Sequence, residues 1–172
     1  MARVFKGRYT AEIDESFLVF LIGMRVNNLW AFHKWVPTAA AMVPMLKTLF
    51  AHPEKGFLGG QIFVYWRGVG VIQYWRSFDD LEHFARHPSE PHLAAWKRFN
   101  RSVGSDGSVG IWHETFLVPA KQYESMYGNM PVFGLARATK HVPAIGNRET
   151  ARLRLGGRNE PATPSPPTPV GQ

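Results

Sequence analysis

The stretch FLGGQIFVYWRGVGVIQYWR, residues 57–76, decides the fold because it is aromatic and β-branched on both sides of a glycine-containing centre. Such residues favour strands, so we expect strands over 57–67 and 69–76. Gly68 and Val69 predict a tight two-residue turn between them. With that turn both faces of the hairpin are largely apolar. One face would carry Phe63, Tyr65, Ile72 and Tyr74, and the other Ile62, Val64, Trp66, Val71 and Trp75, with Gln73 as the polar exception.

Two further strands and two helical regions are predicted around the hairpin. Residues 17–25 and 109–118 are largely apolar and of strand length. Residues 30–51 have helical spacing but contain Pro37 and Pro44, and a proline inside a helix kinks it unless it opens a new one.

The second helical region begins at a polar cap. Ser77 precedes Asp79 and Asp80, which predicts an N-cap followed by acids in the first helical turn. Pro91 is well placed to begin a second helix, which we expect to run to about Arg101.

The resulting order is β-α-β-β-α-β, the ferredoxin-like arrangement of an α+β fold with an antiparallel sheet. Two helices cover only one face of such a sheet, yet the hairpin is apolar on both. We therefore expect a homodimer in which a second copy covers the other face, giving a dimeric α/β barrel. Residues 1–143 are predicted to form this single domain, and 144–172 a basic, proline-rich, disordered tail.

Composition excludes several classes of protein. The 172 residues contain no cysteine, which excludes a disulfide scaffold, a thiolate nucleophile and an iron–sulfur cluster. The net charge is +7, of which +3 lies in residues 140–172, so nucleic-acid binding is disfavoured. The longest apolar run, residues 17–24, is too short to span a membrane. We expect a cytoplasmic protein that binds neither nucleic acid nor membrane.

Two of the seven histidines stand out by position. His92 follows Pro91 in the first turn of a predicted helix, with Trp96 and Phe99 on its face. It could coordinate iron at a flat macrocycle or simply solvate a helix start. His113 lies within an apolar strand, where a histidine is either a hydrogen-bonded core residue or a pocket residue.

The other histidines carry weaker expectations. His52 follows a helix and complements its C-terminal carbonyls, and His83 is expected to be exposed on an amphipathic helix. His33 lies in an aromatic stretch and is either packed or part of a pocket, and His141 lies at the approach to the tail.

Three motifs carry a resemblance to a known family. They are SFDDLEHFARHP at residues 77–88 followed by His92, IWHETFLV at 111–118, and YESMYGNMPVFGL at 123–135. Over roughly residues 17–144 the chain resembles a family of dimeric α/β barrels that includes a monooxygenase-type enzyme of fumagillin biosynthesis. This resemblance implies the same barrel fold and a small-molecule substrate.

A more distant resemblance is to the haem-dependent aldoxime dehydratases, which carry a helical His-Pro…His element and then a strand with His-Glu-Val. Carried over, it implies haem b with His92 as the iron ligand and His113 as a distal acid–base. Trp96 and Phe99 would line the cofactor site. The link Pro88-Ser89-Glu90-Pro91 is longer than in that family, which leaves His87 as an alternative ligand.

Two arginines complete the expected site. Arg25 could hold a haem propionate, and Arg67 could hold charge on the substrate. Three functions remain open. The first is a haem-dependent enzyme, either a lyase that dehydrates an N-hydroxyl compound or an oxidoreductase. The second is a cofactor-independent monooxygenase, and the third is a non-enzymatic dimer that binds a ligand or haem.

Overall fold

The computed structural model describes residues 2–158 of the chain, and its contacts divide the chain into two compact units. One unit comprises residues 18–117, and the other comprises the residues before and after it. The elements are β1 (Phe5–Glu12), β2 (Phe17–Val26), α1 (Phe32–Ala40), α2 (Met42–Ala51), β3 (Phe57–Tyr65), β4 (Gly68–Trp75), α3 (Phe78–Arg86), α4 (Pro91–Ser102), β5 (Val109–Val118), β6 (Tyr127–Met130), α5 (Gly134–Ala138), β7 (Lys140–Pro143) and α6 (Ala151–Arg154), with short 3-10 helices at Pro53–Lys55 and Gly146–Arg148.

The unit of residues 18–117 has the predicted ferredoxin-like topology. Its four strands are ordered β3-β4-β2-β5, and β4 pairs antiparallel with both β2 and β3. Helices α1 and α2 connect β2 to β3, and α3 and α4 connect β4 to β5. The α+β class and the β-α-β-β-α-β order expected from the sequence are confirmed.

The hairpin turn lies two residues earlier than the sequence predicted. Tyr65 pairs with Gly68, so Trp66 and Arg67 form the turn, and Arg67 has a positive φ of 59°. Gly68 is needed in the strand instead, because a Cβ there would lie 2.4 Å from the Tyr65 ring. A Cβ at Gly70 would likewise lie 2.5 Å from the Phe63 ring. The two-residue displacement keeps every side chain on its predicted face, since strand side chains alternate with a period of two.

One face of the sheet carries the core. Val71 and Trp75 of β4 pack with Leu18 of β2 against residues of α2 and α3, including Leu49 and Phe84. Trp75 is fully buried, and its indole Nε1 donates a 2.9 Å hydrogen bond to the Gln73 side chain. The helices therefore cover only this face of the sheet, as the sequence predicts.

The helix boundaries follow the local chemistry of the sequence. The predicted helix over residues 30–51 is broken at Ala41, and Pro44 lies in the first turn of α2. The Ser77 hydroxyl accepts a 3.1 Å hydrogen bond from the Asp80 amide, which caps α3 as predicted. Pro91 is the first residue of α4.

The second unit contains a sheet that the sequence did not predict. Its strands are ordered β6-β1-β7, and β1 pairs antiparallel with both neighbours. The buried Thr10 of β1 donates a 2.8 Å hydrogen bond to the Ser125 carbonyl, and the Ser125 hydroxyl accepts one from the Ala11 amide. Residues 5–12, for which the sequence predicts no element, thus form the central strand β1.

The boundary expected at Ala144 also differs from the structure. Ala144 is buried, and its amide donates a 2.9 Å hydrogen bond to the Arg8 carbonyl. Arg148 pairs with Glu12 at 2.6 Å, and Arg154 pairs with Glu124. Arg148 and Arg154, which lie in the predicted tail, therefore hold it to the second unit through ion pairs. The rest of the predicted tail lies outside the described residues. Within residues 2–158 no helix has the length and hydrophobicity needed to cross a bilayer.

Candidate active site

Helix α4 packs over the β2–β5 side of the sheet. Phe99 of α4 packs against a cluster formed by Val103, which directly follows the helix, with Met24 and Val26 of β2 and Val109 of β5. This contact lies at the C-terminal end of α4 and at the start of β5.

His113 lies on the face of β5 that is directed toward the helices. Its ring is 5.7 Å from that of Phe20, a residue that packs against the helix-covered core. His113 is nevertheless exposed, and so are Ile111 and Leu117 on the same face. The predicted face is therefore correct, but the alternative of a hydrogen-bonded core histidine is wrong. The helices leave this part of β5 uncovered.

His92 and His113 belong to two consecutive elements of the fold. His92 is the second residue of α4, and His113 is the fifth residue of β5. The cluster that contains Val103 and Val109 brings the end of α4 and the start of β5 together.

The imidazole of His92 is held by one backbone contact. Its Nδ1 lies 2.9 Å from the carbonyl oxygen of Ala85, in the last turn of α3. A carbonyl only accepts hydrogen bonds, so Nδ1 must carry the proton and donate it. This tautomer leaves the lone pair on Nε2. Metal-binding histidines commonly have this arrangement, in which a second-shell carbonyl fixes the tautomer and the ring orientation.

His87, the alternative ligand, is placed differently. Its Nδ1 lies 2.8 Å from the Ser89 hydroxyl, and its ring is 4.8 Å from that of His83. Both histidines are exposed. The Ser89 amide also donates a 3.4 Å hydrogen bond to Nδ1 of His87, so Nδ1 is an acceptor and the neutral ring carries its proton on Nε2, which then has no lone pair for a metal. The geometry therefore favours His92 over His87 as a ligand.

Trp96 and Phe99 form an aromatic surface on α4. Their rings are stacked 5.6 Å apart with an interplanar angle of 16°. Trp96 is 45% exposed although Phe99 packs against the core, so the outer ring of this stack is open to a ligand.

The two arginines of the predicted site lie elsewhere. Arg25 alternates with Met24, which packs in the core, so Arg25 lies on the helix-free face and bonds the Asn27 side chain. Arg67 lies in the hairpin turn and donates a 2.6 Å hydrogen bond to the Asn27 carbonyl. The structure does not bring either arginine together with His92 or His113.

Three other histidines have structural surroundings. His33 is exposed and lines an open cleft of about 450 Å³ with Asn28 and Lys34. His52 bonds the Glu54 carboxylate at 2.8 Å, and this contact and the backbone lower the pKa of that carboxyl group. His141, expected near the tail, is instead in β7. Among residues 2–158 no cluster of three or more potential metal-binding side chains occurs.

The sequence reasoning missed two residues that shape the site. Ala85 contributes only a backbone carbonyl, which no side-chain pattern reveals. Phe20 contacts His113 from a neighbouring strand, and only the sheet register brings the two together. The adjacency of β2 and β5 follows from the ferredoxin-like strand order, which the sequence does predict, whereas strand order does not fix the register that brings Phe20 next to His113.

The fold resembles that of known proteins. The structure superposes on two crystal structures of aldoxime dehydratases with TM-scores of 0.62 and 0.61, each at 17% identity and over 79% of this chain. One of these was crystallised with butyraldoxime. The superposed regions cover 43% and 44% of those chains. They show that the fold is shared.

Sequence comparison gives the family. Residues 17–135 match the profile of the Monooxygenase af470-like family, so the chain belongs to that family. Over 165 residues it is 31% identical to Monooxygenase af470 of Aspergillus fumigatus. This alignment covers 83% of the chain and 58% of the curated relative, whose length the chain therefore spans only in part. The resemblance stated from the sequence motifs is confirmed.

Proposed function

We propose that the chain is the haem-binding unit of an enzyme that acts on a small molecule, with His92 as iron ligand and His113 of β5 as the acid–base. The single observation that carries this proposal is the 2.9 Å contact between Nδ1 of His92 and the carbonyl oxygen of Ala85. It presents the Nε2 lone pair of a partly buried imidazole in a fixed direction, as an iron ligand requires.

The surroundings of His92 fit a flat, apolar cofactor. Trp96 offers an open aromatic ring on the same helix, and Ile111 and Leu117 offer apolar surface on the uncovered side of β5. The chain has no cysteine, so no thiolate competes as an axial ligand. When bound, haem supplies an open coordination position for a nitrogen or oxygen atom of the substrate. Arg25 and Arg67 are not part of this proposal, because the fold directs them elsewhere.

His113 then acts on the substrate itself. An imidazole can give up and take back a proton near neutral pH, which suits it to general acid–base catalysis. In a dehydration of a compound with an H–C=N–OH group, His113 would deliver a proton to the hydroxyl oxygen, the N–O bond would break and water would leave. The neutral imidazole would then take the proton of the adjacent C–H bond, whose electron pair completes a C≡N bond. The exposure of His113 gives a substrate access to the ring.

A cofactor-independent monooxygenase is the second candidate, and membership of the Monooxygenase af470-like family favours monooxygenase chemistry. In that reaction His113 serves as a base that removes a proton from the substrate. The two candidates share His113 and differ in the role of His92, so the same variants distinguish them.

Haem titration of the purified chain tests the proposal. We expect hemin to bind with a Soret shift that His92→Ala abolishes, while His87→Ala and His83→Ala retain it. His83 is the matched control because it is an exposed histidine on the neighbouring helix. Absence of haem binding in a folded wild-type chain would reject the haem proposal in favour of the second candidate. Loss of binding in His87→Ala alone would reject His92 as the ligand.

We also propose a homodimer formed through the helix-free face of the sheet. The apolar side chains on this face include Phe63, Ile72 and Leu21. No helix of residues 18–117 covers them, so each retains exposed apolar surface. Sedimentation velocity tests this: Ile72→Lys should yield a monomer, whereas Ile62→Lys, on the opposite face of the same hairpin, should remain a dimer. A monomeric wild-type chain would reject the proposal.

A further inference from the structure

The hairpin turn and the loop after β2 lie side by side at one end of the sheet. The Val26 amide donates a 2.7 Å hydrogen bond to the Arg67 carbonyl, and the Arg67 guanidinium donates one of 2.6 Å to the Asn27 carbonyl. Residues 27–32 and 64–67, which are far apart in the sequence, therefore reach the surface together.

This end of the sheet exposes large apolar side chains. Trp30 is 87% exposed and Trp66 is 83% exposed, although tryptophan is usually largely buried. Three further apolar residues at this end are also exposed. We call the five residues the tryptophan end: Leu29, Trp30, Phe32, Val64 and Trp66. Exposed apolar groups gathered in this way mark a surface that binds a macromolecule or a membrane.

Unpaired positive charge flanks the tryptophan end. Arg25 bonds the Asn27 side chain and Arg67 bonds the Asn27 backbone, and neither forms an ion pair with an acidic residue of the described chain. The nearby carboxylate of Asp106 is already bound by Lys34 and by Ser108, whose amide and hydroxyl both donate to it. These contacts lower the pKa of Asp106 and keep it ionised in its pair with Lys34.

An open cleft lies beside Trp30. Its volume is about 450 Å³, and Asn28, His33, Lys34 and Asp106 are among the residues that line it. Because Asp106 neutralises Lys34 there, the unpaired positive charge at this end of the sheet belongs to Arg25 and Arg67.

We infer that the tryptophan end docks this protein onto the surface of an anionic lipid bilayer. Indole rings prefer the headgroup level of a bilayer, and arginines bind lipid phosphates. The net charge of +7 attracts the chain to such a surface from a distance. The proposed homodimer assigns a second copy to the helix-free face around Phe63, Ile72 and Leu21, whereas the exposed indoles with their flanking arginines match an anionic lipid surface in charge. The inference is independent of haem binding and adds surface docking to a chain whose sequence predicted no membrane contact.

Vesicle co-sedimentation of the full chain tests this inference. We expect binding to vesicles of phosphatidylcholine with 30% phosphatidylglycerol, weak binding to phosphatidylcholine alone, and release in high salt. Tryptophan emission should shift to shorter wavelength on binding. The double variant Trp30→Ala/Trp66→Ala should bind at least about tenfold more weakly, and Arg25→Gln about fivefold more weakly.

Phe50→Ala is the matched control. Phe50 is an exposed aromatic residue that packs on Phe57, the first residue of β3, and so lies at the opposite end of the hairpin from Trp66. It should bind vesicles like the wild type. Equal binding of the double variant and the wild type, or no binding of either, would overturn the inference. Loss of a wild-type dimer in the double variant, without vesicle binding by the wild type, would show a contact between copies instead. Arg25→Gln removes an exposed charge and one hydrogen bond to the Asn27 side chain, so it tests the inference even if the double variant does not fold.

Discussion

Nδ1 of His92 lies 2.9 Å from the carbonyl oxygen of Ala85, a residue seven positions earlier in the preceding helix. The link between the two helices is itself held, because the Glu90 amide donates a 3.0 Å hydrogen bond to the His87 carbonyl. The buried Glu90 carboxylate also pairs with Lys55, next to β3. The fold thus sets the direction of the His92 ring independently of any ligand, which is how a preorganised ligand site is built.

The role of His113 predicts a loss of turnover without a loss of haem. His113→Gln should retain the Soret band and lower the turnover of an N-hydroxyl substrate by about 10²–10⁴-fold, because general acid–base groups contribute on this scale. The measurement combines the visible spectrum with steady-state kinetics on the haem-loaded chain.

Thr115→Val provides the control for this variant. Thr115 follows His113 on the same face of β5 and is also exposed. It should leave turnover near the wild-type value. Wild-type turnover in His113→Gln would contradict the acid–base role, and loss of the Soret band would indicate a ligand rather than a proton donor.

Two tryptophans in the same hairpin should differ sharply in their effect on stability. Trp75→Ala should lower the free energy of unfolding by about 3–5 kcal/mol, because the ring is fully buried and its loss leaves a cavity and an unpaired Gln73. Trp66→Ala should change it by less than about 0.5 kcal/mol, since the side chain is exposed. Urea unfolding measures both, and similar losses in the two variants would contradict the placement of the core.

Gly23 is predicted to be intolerant of a methyl group. A Cβ there would lie 2.8 Å from the Trp112 indole, whose Nε1 donates a 2.6 Å hydrogen bond to the Tyr65 hydroxyl. Gly23→Ala should therefore displace the indole and cost about 1–3 kcal/mol of unfolding free energy. Gly110→Ala, where the nearest atom to the new Cβ is 3.5 Å away, is the matched control. Near-UV circular dichroism should change only in Gly23→Ala.

His141 is predicted to make the second unit, which contains β1, β6 and β7, less stable at acidic pH. Its ring stacks on Tyr9 at 4.4 Å, lies edge-on to Phe5 at 5.0 Å and lies 6.4 Å from Tyr127. Its Nε2 is buried and finds no hydrogen-bond partner among residues 2–158. Burial lowers the pKa of His141, because the charged form would lose its hydration.

The sign of the effect follows from proton linkage. The unfolded chain binds the proton more readily than the folded one, so this stability is complete above the unfolded pKa of about 6.5 and is lost as the pH falls below it. Thermal unfolding between pH 7.5 and 5.5 should show the decline, and His141→Phe, which keeps the ring stacking, should reduce it. An unchanged pH profile in His141→Phe would contradict this assignment.

The sequence predicted the unit of residues 18–117 well because local signals there agree with the tertiary structure. Ser77 and Pro91 mark helix starts by their own side-chain chemistry, and the alternation of β3 and β4 survives a displaced turn. The predicted turn at Gly68 and Val69 is wrong because a glycine can serve either a turn or a close side-chain contact within a strand. Gly68 and Gly70 give room to the Tyr65 and Phe63 rings rather than conformational freedom to a turn.

The second unit could not be predicted in the same way. Its sheet joins β1 to β6 and β7, which are more than 100 residues later, and no local pattern encodes that pairing. At the site, His92 and His113 were singled out from helix position and strand alternation. Arg25 and Arg67 were assigned to it by chemistry alone, and the register of β2 and the turn geometry place them elsewhere.

The central claim is that Nε2 of His92 is the iron ligand. The most direct measurement is the visible spectrum of His92→Gly mixed with hemin, recorded with and without added imidazole. We expect no Soret shift without imidazole and a restored, wild-type-like band with it, because free imidazole can occupy the space of the missing side chain. A wild-type spectrum of His92→Gly in the absence of imidazole would contradict the proposal that His92 binds the iron.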